Sequence, residues 1–226
     1  MIPKIFLLSL GCPRNLVDSE VLMGILKKNG FPFTEDVNKA RVLIINTCAF
    51  VEKAKQESID AILELAAFKR EANPKLDKKL IVAGCLSQRY TKELKKEIPE
   101  IDGIFGSADF TKIPSFLKDL PQEKKTSVSS IPQFLYDHKS SRSLITPSHY
   151  AYVKLQEGCM NNCSYCVIPK LRGPYRSRSF DSVIEEVKTL KEKSNVKEVN
   201  LIGQDTTLYG IDRYNEVRIS DLIKEI

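Results

Sequence analysis

The sequence predicts an α/β protein in which a parallel, helix-covered sheet fills the first 120 residues and a second β/α unit opens after it. Three observations carry this expectation. Short apolar runs alternate with segments of helical periodicity. Cysteines fall just behind three of the apolar runs at nearly equal intervals. A polar stretch around residue 130 then separates this pattern from a second one that begins at Tyr150. Strands that alternate with helices in this way form parallel sheets with helices on their faces.

Residues 4–10 read as the first strand. Residues 15–29 set Leu16, Val17, Val21, Leu22, Ile25 and Leu26 at helical spacing, with Gly30 as a stop signal. Residues 42–45 read as a second buried strand, and 52–69 as a helix with Ile59, Ile62, Leu63 and Ala66 on one face. Residues 80–83 give a third strand, 90–98 a helix, 101–105 a fourth strand and 112–120 a closing helix. The polar residues 121–148 read as a linker. Beyond it, a strand at 151–155, a helix at 182–193, a strand at 196–202 and a helix from 219 spell the opening of a β/α repeat. Two strands cannot close a barrel of about eight, so the second domain reads as incomplete. The expected division is residues 1–120, a linker at 121–148, and 149–226.

A chain of 226 residues can bury a real core in one or two domains. Its 42% hydrophobic and 28% charged content is that of a soluble globular protein. No apolar run approaches the roughly 20 residues that span a bilayer. The apolar N-terminus passes into Gly11-Cys12-Pro13 without a signal-peptide cleavage site. The cytoplasm is the expected compartment, with no membrane partner. The net charge of +6 permits a nucleic-acid or ribosome-associated partner without requiring one. Neither Gly-x-Gly-x-x-Gly nor Gly-Lys-Ser/Thr occurs, which weakens nucleotide-dehydrogenase and NTPase readings. Six cysteines in a reducing compartment point to metal ligation or catalysis rather than to disulfides.

Cys12, Cys48 and Cys85 form the first set. Each follows a predicted strand, and they are spaced by about one β/α unit, for which roughly 30 or more residues are expected. In a parallel sheet all strand C-terminal ends lie on one edge, where open α/β sheets place their ligands. The three thiols are therefore expected to converge, with the N-termini of the following helices favouring thiolate charge. Three buried hydrophobic cysteines and a structural zinc site remain alternatives. Zinc wants four ligands, and the two histidines, His138 and His149, fall in or just beyond the linker.

Cys159, Cys163 and Cys166 form the second set, Cys-x-x-x-Cys-x-x-Cys, with Tyr165 just before the last cysteine. Spacing this tight lets one loop wrap one metal centre. Thiolates are the usual iron–sulfur ligands, and zinc is again the alternative.

A strand followed by this loop resembles the radical S-adenosylmethionine (SAM) superfamily. The coupling of both cysteine sets resembles its methylthiotransferases, which carry three separated cysteines in an N-terminal domain. Ser9-Leu-Gly-Cys-Pro-Arg-Asn-Leu-Val-Asp-Ser-Glu20, Asn46-Thr-Cys-Ala-Phe-Val51, Gly84-Cys-Leu-Ser-Gln-Arg-Tyr90 and Ile168-Pro-Lys-Leu-Arg-Gly173 are similar to the branch that modifies a ribosomal protein. Leu201-Ile-Gly-Gln-Asp205 resembles the family's second barrel strand. The resemblance implies an N-terminal parallel-sheet methylthiotransferase domain followed by the beginning of a radical SAM β/α (TIM-like) barrel. The family chain continues through the barrel to a small RNA-binding-like β-domain.

The resemblance further implies two 4Fe-4S clusters, one on Cys12, Cys48 and Cys85 and one on Cys159, Cys163 and Cys166. The second set would be the catalytic one, binding SAM at its open iron, with Tyr165 and Gln204 as cofactor-binding residues. The implied reaction is methylthiolation of the β-carbon of an aspartate in the small-subunit ribosomal protein numbered twelve. An electron donor is an implied partner, and a monomer the implied state. A tRNA methylthiotransferase and a non-catalytic iron–sulfur module are the competing readings. Asn15, Asp18, Glu20, Asn46 and Gln88 are candidates for tuning the first cluster. For Asp18 and Glu20, helix capping and surface solvation are the favoured roles. Arg172, Arg176 and Arg178 are candidates for contacting SAM or substrate, against an exposed basic stretch. For Asp205 the choice lies between an active-site role and capping.

Overall fold

The structure, a computed structural model, describes residues 2–73, 77–119 and 123–226. Five parallel strands in sequential order form the main sheet: β1 (Ile5–Ser9), β2 (Val42–Thr47), β3 (Lys79–Gly84), β4 (Gly103–Phe105) and β5 (Lys125–Ser127). Ser9 aligns with Asn46, and Thr47 with Gly84, so the strands that precede the first cysteine set end level with one another.

Both faces of this sheet are covered, as continuous apolar strands require. On one face Val42 and Ile44 pack against Val17, Val21 and Leu22 of α1 (Pro13–Lys28), with Phe116 of α5 (Ile113–Asp119) in the same cluster. On the other face Leu43 and Ile45 meet Ile62, Leu65 and Ala66 of α2 (Glu52–Glu71). The same layer holds α3 (Cys85–Arg89) and α4 (Thr91–Glu97). Alternate residues of β2 thus feed opposite cores, the period-two pattern of a strand.

Several boundaries differ from expectation for identifiable reasons. Helix α1 starts at Pro13, because proline with its fixed φ and missing N–H suits a first helical turn. Residues 85–89 add a helix of their own before α4. Strand β5 lies inside the segment expected to be a linker. Its residues Lys125-Thr-Ser127 are polar and mostly exposed at a sheet edge, so no apolar alternation announces it. The expected closing helix ends at Asp119. Residue 120 of that expectation, and residues 121–122 of the expected linker, lie outside the described residues.

The second unit is a β-α-β unit: β6 (Tyr150–Lys154), α7 (Phe180–Ser194) and β9 (Glu198–Ile202), with β6 and β9 parallel. The N-cap of α7, Ser179, accepts a hydrogen bond from the Ser182 amide, and its C-cap Asn195 takes the left-handed conformation. Between β6 and α7, an antiparallel ribbon of β7 (Gln156–Glu157) and β8 (Arg176–Ser177) brackets the second cysteine loop and α6 (Ile168–Arg172). Short helices α8 (Ile211–Tyr214) and α9 (Ile219–Glu225) follow β9. Tyr152 and Ile202 pack against the α1 face of the main sheet, and Val167 and Leu171 join the α2 face. Among the described residues no helix is long and apolar enough to cross a membrane.

Candidate functional site

Cys12, Cys48 and Cys85 come from three loops, and all three line one cavity of about 500 Å³. Cys12 is the N-cap of α1, Cys48 directly follows β2, and Cys85 opens α3. The glycines beside them are geometrically required. Gly11 (φ +90°) and Gly84 (φ +99°) hold left-handed conformations that other residues rarely adopt. A β-carbon on Gly11 would collide with the Cβ of Cys48, and one on Gly84 with Asn46 and the backbone of Thr47.

A polar lattice fixes these loops through their backbones. Asn15 Nδ2 donates to the Leu10 carbonyl at 2.7 Å and to the Thr47 carbonyl at 3.3 Å. Asn46 Nδ2 donates to the Asn15 carbonyl at 2.9 Å and to Ser19 Oγ at 2.8 Å. Ser58 spans Cys48, accepting from its N–H at 3.0 Å and donating to its carbonyl at 2.9 Å. Gln88 accepts from the Ser107 amide and donates to the Ser129 carbonyl, so it braces neighbouring loops and not a cysteine.

The cavity is shared between the two units. Ile168, Leu171, Arg172 and Gln204 of the second unit line it together with the three cysteines. Burial pushes the Cys85 thiol up to about 11, while the Arg172 guanidinium pulls the other way.

Beneath the cavity lies a buried quartet of charges. Lys154 Nζ is 2.5 Å from Asp18 and 2.6 Å from Glu157, and Arg172 Nη1 is 2.5 Å from Asp18 and 3.6 Å from Glu157. Burial by itself would raise the Glu157 carboxyl, but Lys154 and Arg172 outweigh it and hold the group down at about 2. A second buried group joins Glu20 to Arg142 at 2.5 Å, and Arg142 to Glu186 at 2.6 Å. Glu186 also accepts from Arg178 and from Tyr136.

These contacts correct two expectations. Asp18 and Glu20 are neither caps nor solvated residues; they are buried because Asp18 is paired with Arg172 of the second unit and Glu20 with Arg142 of the segment that leads into it. Arg172 and Arg178 are not an exposed basic stretch but interior ion-pair partners. Lys154 and Tyr136 were not singled out from sequence at all. The available signal was a lysine inside the apolar run Val153-Lys-Leu155, and an aspartate among Val17, Val21 and Leu22 on the apolar face of α1.

The second set lies on one irregular loop, with Cys159 and Cys166 partly exposed and Cys163 exposed. The Cys166 amide donates to the Cys163 carbonyl at 3.0 Å. Asn161 donates to Asp205 at 2.7 Å, and the Tyr175 hydroxyl donates to the Asp205 carbonyl at 3.2 Å, tying this loop to the one after β9. Asp205 also caps the 3-10 turn Thr206–Leu208, which is its capping role. Tyr165 is 86% exposed. Gln204 donates to Glu157 and also lines the first cavity, so it stands between the two cysteine sets.

The donor sets fit the implied groups. Three thiols around one cavity with a buried guanidinium suit a thiolate-bound cluster of net negative charge. At the second loop, Gln204 Oε1 and both polar side-chain atoms of Gln156 are buried with no hydrogen-bond partner among the described residues, acceptors and donors that a polar cofactor can satisfy.

Cysteines after three parallel strands and a tight cysteine loop opening a β/α unit are the arrangement expected of a radical SAM protein with an added N-terminal domain. Two family models match in that order, one described as "Uncharacterized protein family UPF0004" over residues 4–106 and one as "Radical SAM superfamily" over residues 153–226. Together the two matches cover both units of the chain, and the relatives similar to it over that span are named as methylthiotransferases. The chain is 50% identical over 223 residues to the ribosomal protein uS12 methylthiotransferase RimO of Clostridioides difficile strain 630, covering 99% of this chain and 49% of that protein. It is 47% identical over 223 residues to the protein of the same name from Heliobacterium modesticaldum, covering 99% of this chain and 48% of that one. The chain thus spans about half the length of the curated relatives it matches. The radical SAM methyltransferase TsrM of Kitasatospora setae, solved with cobalamin and a [4Fe-4S] cluster bound, superposes with a TM-score of 0.58. That likeness covers 100% of this chain and 51% of TsrM at 13% identity, and it concerns the fold alone.

Proposed function

We propose that this chain carries the two cluster sites of a radical SAM methylthiotransferase acting on ribosomal protein uS12, with the β-carbon of an aspartate as the point of attack. The observation that carries this reading is the shared cavity. Thiols of Cys12, Cys48 and Cys85 meet there with Gln204 and Arg172 from the unit that bears Cys159, Cys163 and Cys166. The names of the relatives support the substrate.

In this reading Cys12, Cys48 and Cys85 hold one 4Fe-4S cluster, and Cys159, Cys163 and Cys166 hold the other. When bound, the clusters and SAM supply a sulfur atom and a radical able to take hydrogen from an unactivated carbon, chemistry that side-chain acids and bases at neutral pH do not provide. The chain's own residues bind and orient. The β7–β8 ribbon sets the second loop at the end of β6, the position where barrel enzymes place their sites. Gln204 keeps one oxygen free while its amide is held by Glu157. Tyr165 stands exposed beside Cys166, available to a partner or cofactor. An electron donor completes the set of partners, the working state is a monomer, and the cytoplasm is the compartment.

The test is incubation of the chain with SAM, a strong reductant and a uS12 peptide containing the target aspartate, read by tandem mass spectrometry. Gain of one methylthio group on the aspartate is the expected result. An unchanged peptide, with a methylthio group found instead on a nucleoside of added tRNA, would move the chain to the tRNA-modifying class.

A further inference from the structure

Arg172 lies only six residues after Cys166, so sequence position assigns it to the second loop. The fold sends it elsewhere. Its guanidinium leaves α6, crosses the boundary between the units and lines the cavity of the first cysteine set. Nη1 pairs with Asp18 at 2.5 Å, and Nη2 donates to Asn15 Oδ1 at 3.1 Å. The amide of that same Asn15 holds the Leu10 and Thr47 carbonyls, which lead into the loops of Cys12 and Cys48. Arg14 and Lys53 also line the cavity, but Arg14 is partly and Lys53 largely exposed, where water screens them. Arg172 is buried, so its charge acts through a low dielectric.

We propose that Arg172, although it belongs to the second unit, is a positioning residue for the first cysteine set. Its fork holds Asn15 and so the loops of Cys12 and Cys48, and its charge offsets that of thiolates in the cavity. The first site is then incomplete without the second unit. The quartet of Asp18, Glu157, Lys154 and Arg172 is formally neutral by itself, and Arg172 is the member that reaches the cysteines. Net charge and hydrogen bonding around a cluster set its reduction potential. This inference rests on the reading of Cys12, Cys48 and Cys85 as cluster ligands.

The test uses the full chain with Cys159→Ala, Cys163→Ala and Cys166→Ala, so that only the first site can load. After anaerobic reconstitution with iron and sulfide, iron content and midpoint potential are measured for this parent and for three variants of it: Arg172→Gln, Arg172→Gln with Asp18→Asn, and Arg172→Lys. The double variant removes one buried charge of each sign, and circular dichroism reports its fold. Arg172→Gln is expected to shift the potential negative, because a positive charge beside the cluster favours the reduced state. The double variant is expected to shift the same way by less, since the lost cation sits nearer the cysteines than the lost anion. Loss of iron from a folded Arg172→Gln chain also supports the proposal. A double variant that loads iron and titrates at the parent potential overturns it. Should charge removal unfold the chain, Arg172→Lys decides. Lysine keeps the charge but lacks the fork, so iron release to a chelator is expected to be several-fold faster, and release at the parent rate overturns the positioning role. A parent chain that binds no iron refutes the ligand reading itself, a different outcome from any of these.

Discussion

Arg172 Nη1 lies 2.5 Å from Asp18 Oδ2, which joins the short helix behind the second cysteine loop to the first helix of the chain, 154 positions earlier. The pair is buried, and Lys154 shares the same carboxylate. Asp18→Ala leaves two buried cations with Glu157 as their remaining partner. Breaking a buried pair in this way costs about 3–5 kcal/mol. Urea denaturation of the two chains is expected to show a loss of that size with an unchanged slope.

Glu20 fastens the segment that leads into the second unit. It accepts from Arg142 at 2.5 Å and from the Ile145 amide at 2.8 Å. Glu20→Ala is expected to destabilise the chain by about 3 kcal/mol and to expose residues 142–146. Limited proteolysis read by mass spectrometry checks this, with new cleavage expected in that segment ahead of cleavage elsewhere.

Acid destabilisation follows from Glu157. Its folded pKa is about 2 against an ordinary 4.5, so its stabilisation is fully present above pH 4.5 and is lost as pH falls toward 2. Melting temperature measured across that window is expected to fall steeply. Glu157→Gln is expected to melt lower at pH 7 and to show a flatter acid limb.

Gly84→Ala combines a left-handed φ with a collision against Asn46 and Thr47. The expected cost is about 1–3 kcal/mol of backbone strain, with Cys85 displaced from the cavity. After reconstitution, iron bound by Cys12, Cys48 and Cys85 is expected to drop while that bound by Cys159, Cys163 and Cys166 stays.

The main architecture was legible because it is written in local periodicity. Residues 42–45 and 80–83 are continuous apolar runs, and they are the doubly covered strands of the sheet. The meeting of Cys12, Cys48 and Cys85 in one cavity was legible because parallel strands end on one edge. What escaped was set by partners far away in sequence. Asp18 and Glu20 look like solvated helix residues until Arg172 and Arg142 arrive from more than 120 positions further on. Arg178 sits among polar neighbours in sequence, yet it is stacked over Tyr136 at 4.4 Å and paired with Glu186. Strand β5 escaped for the opposite reason. It is a polar edge strand, so no apolar alternation marks it.

Iron counting decides between two separate cluster sites and a single shared one. The chain is reconstituted anaerobically with iron and sulfide beside a Cys12, Cys48, Cys85→Ala triple variant and a Cys159, Cys163, Cys166→Ala triple variant. Two independent 4Fe-4S sites predict about eight irons in the unchanged chain and about four in each variant. Loss of all iron in either variant, or one variant matching the unchanged chain, contradicts two separate cluster sites.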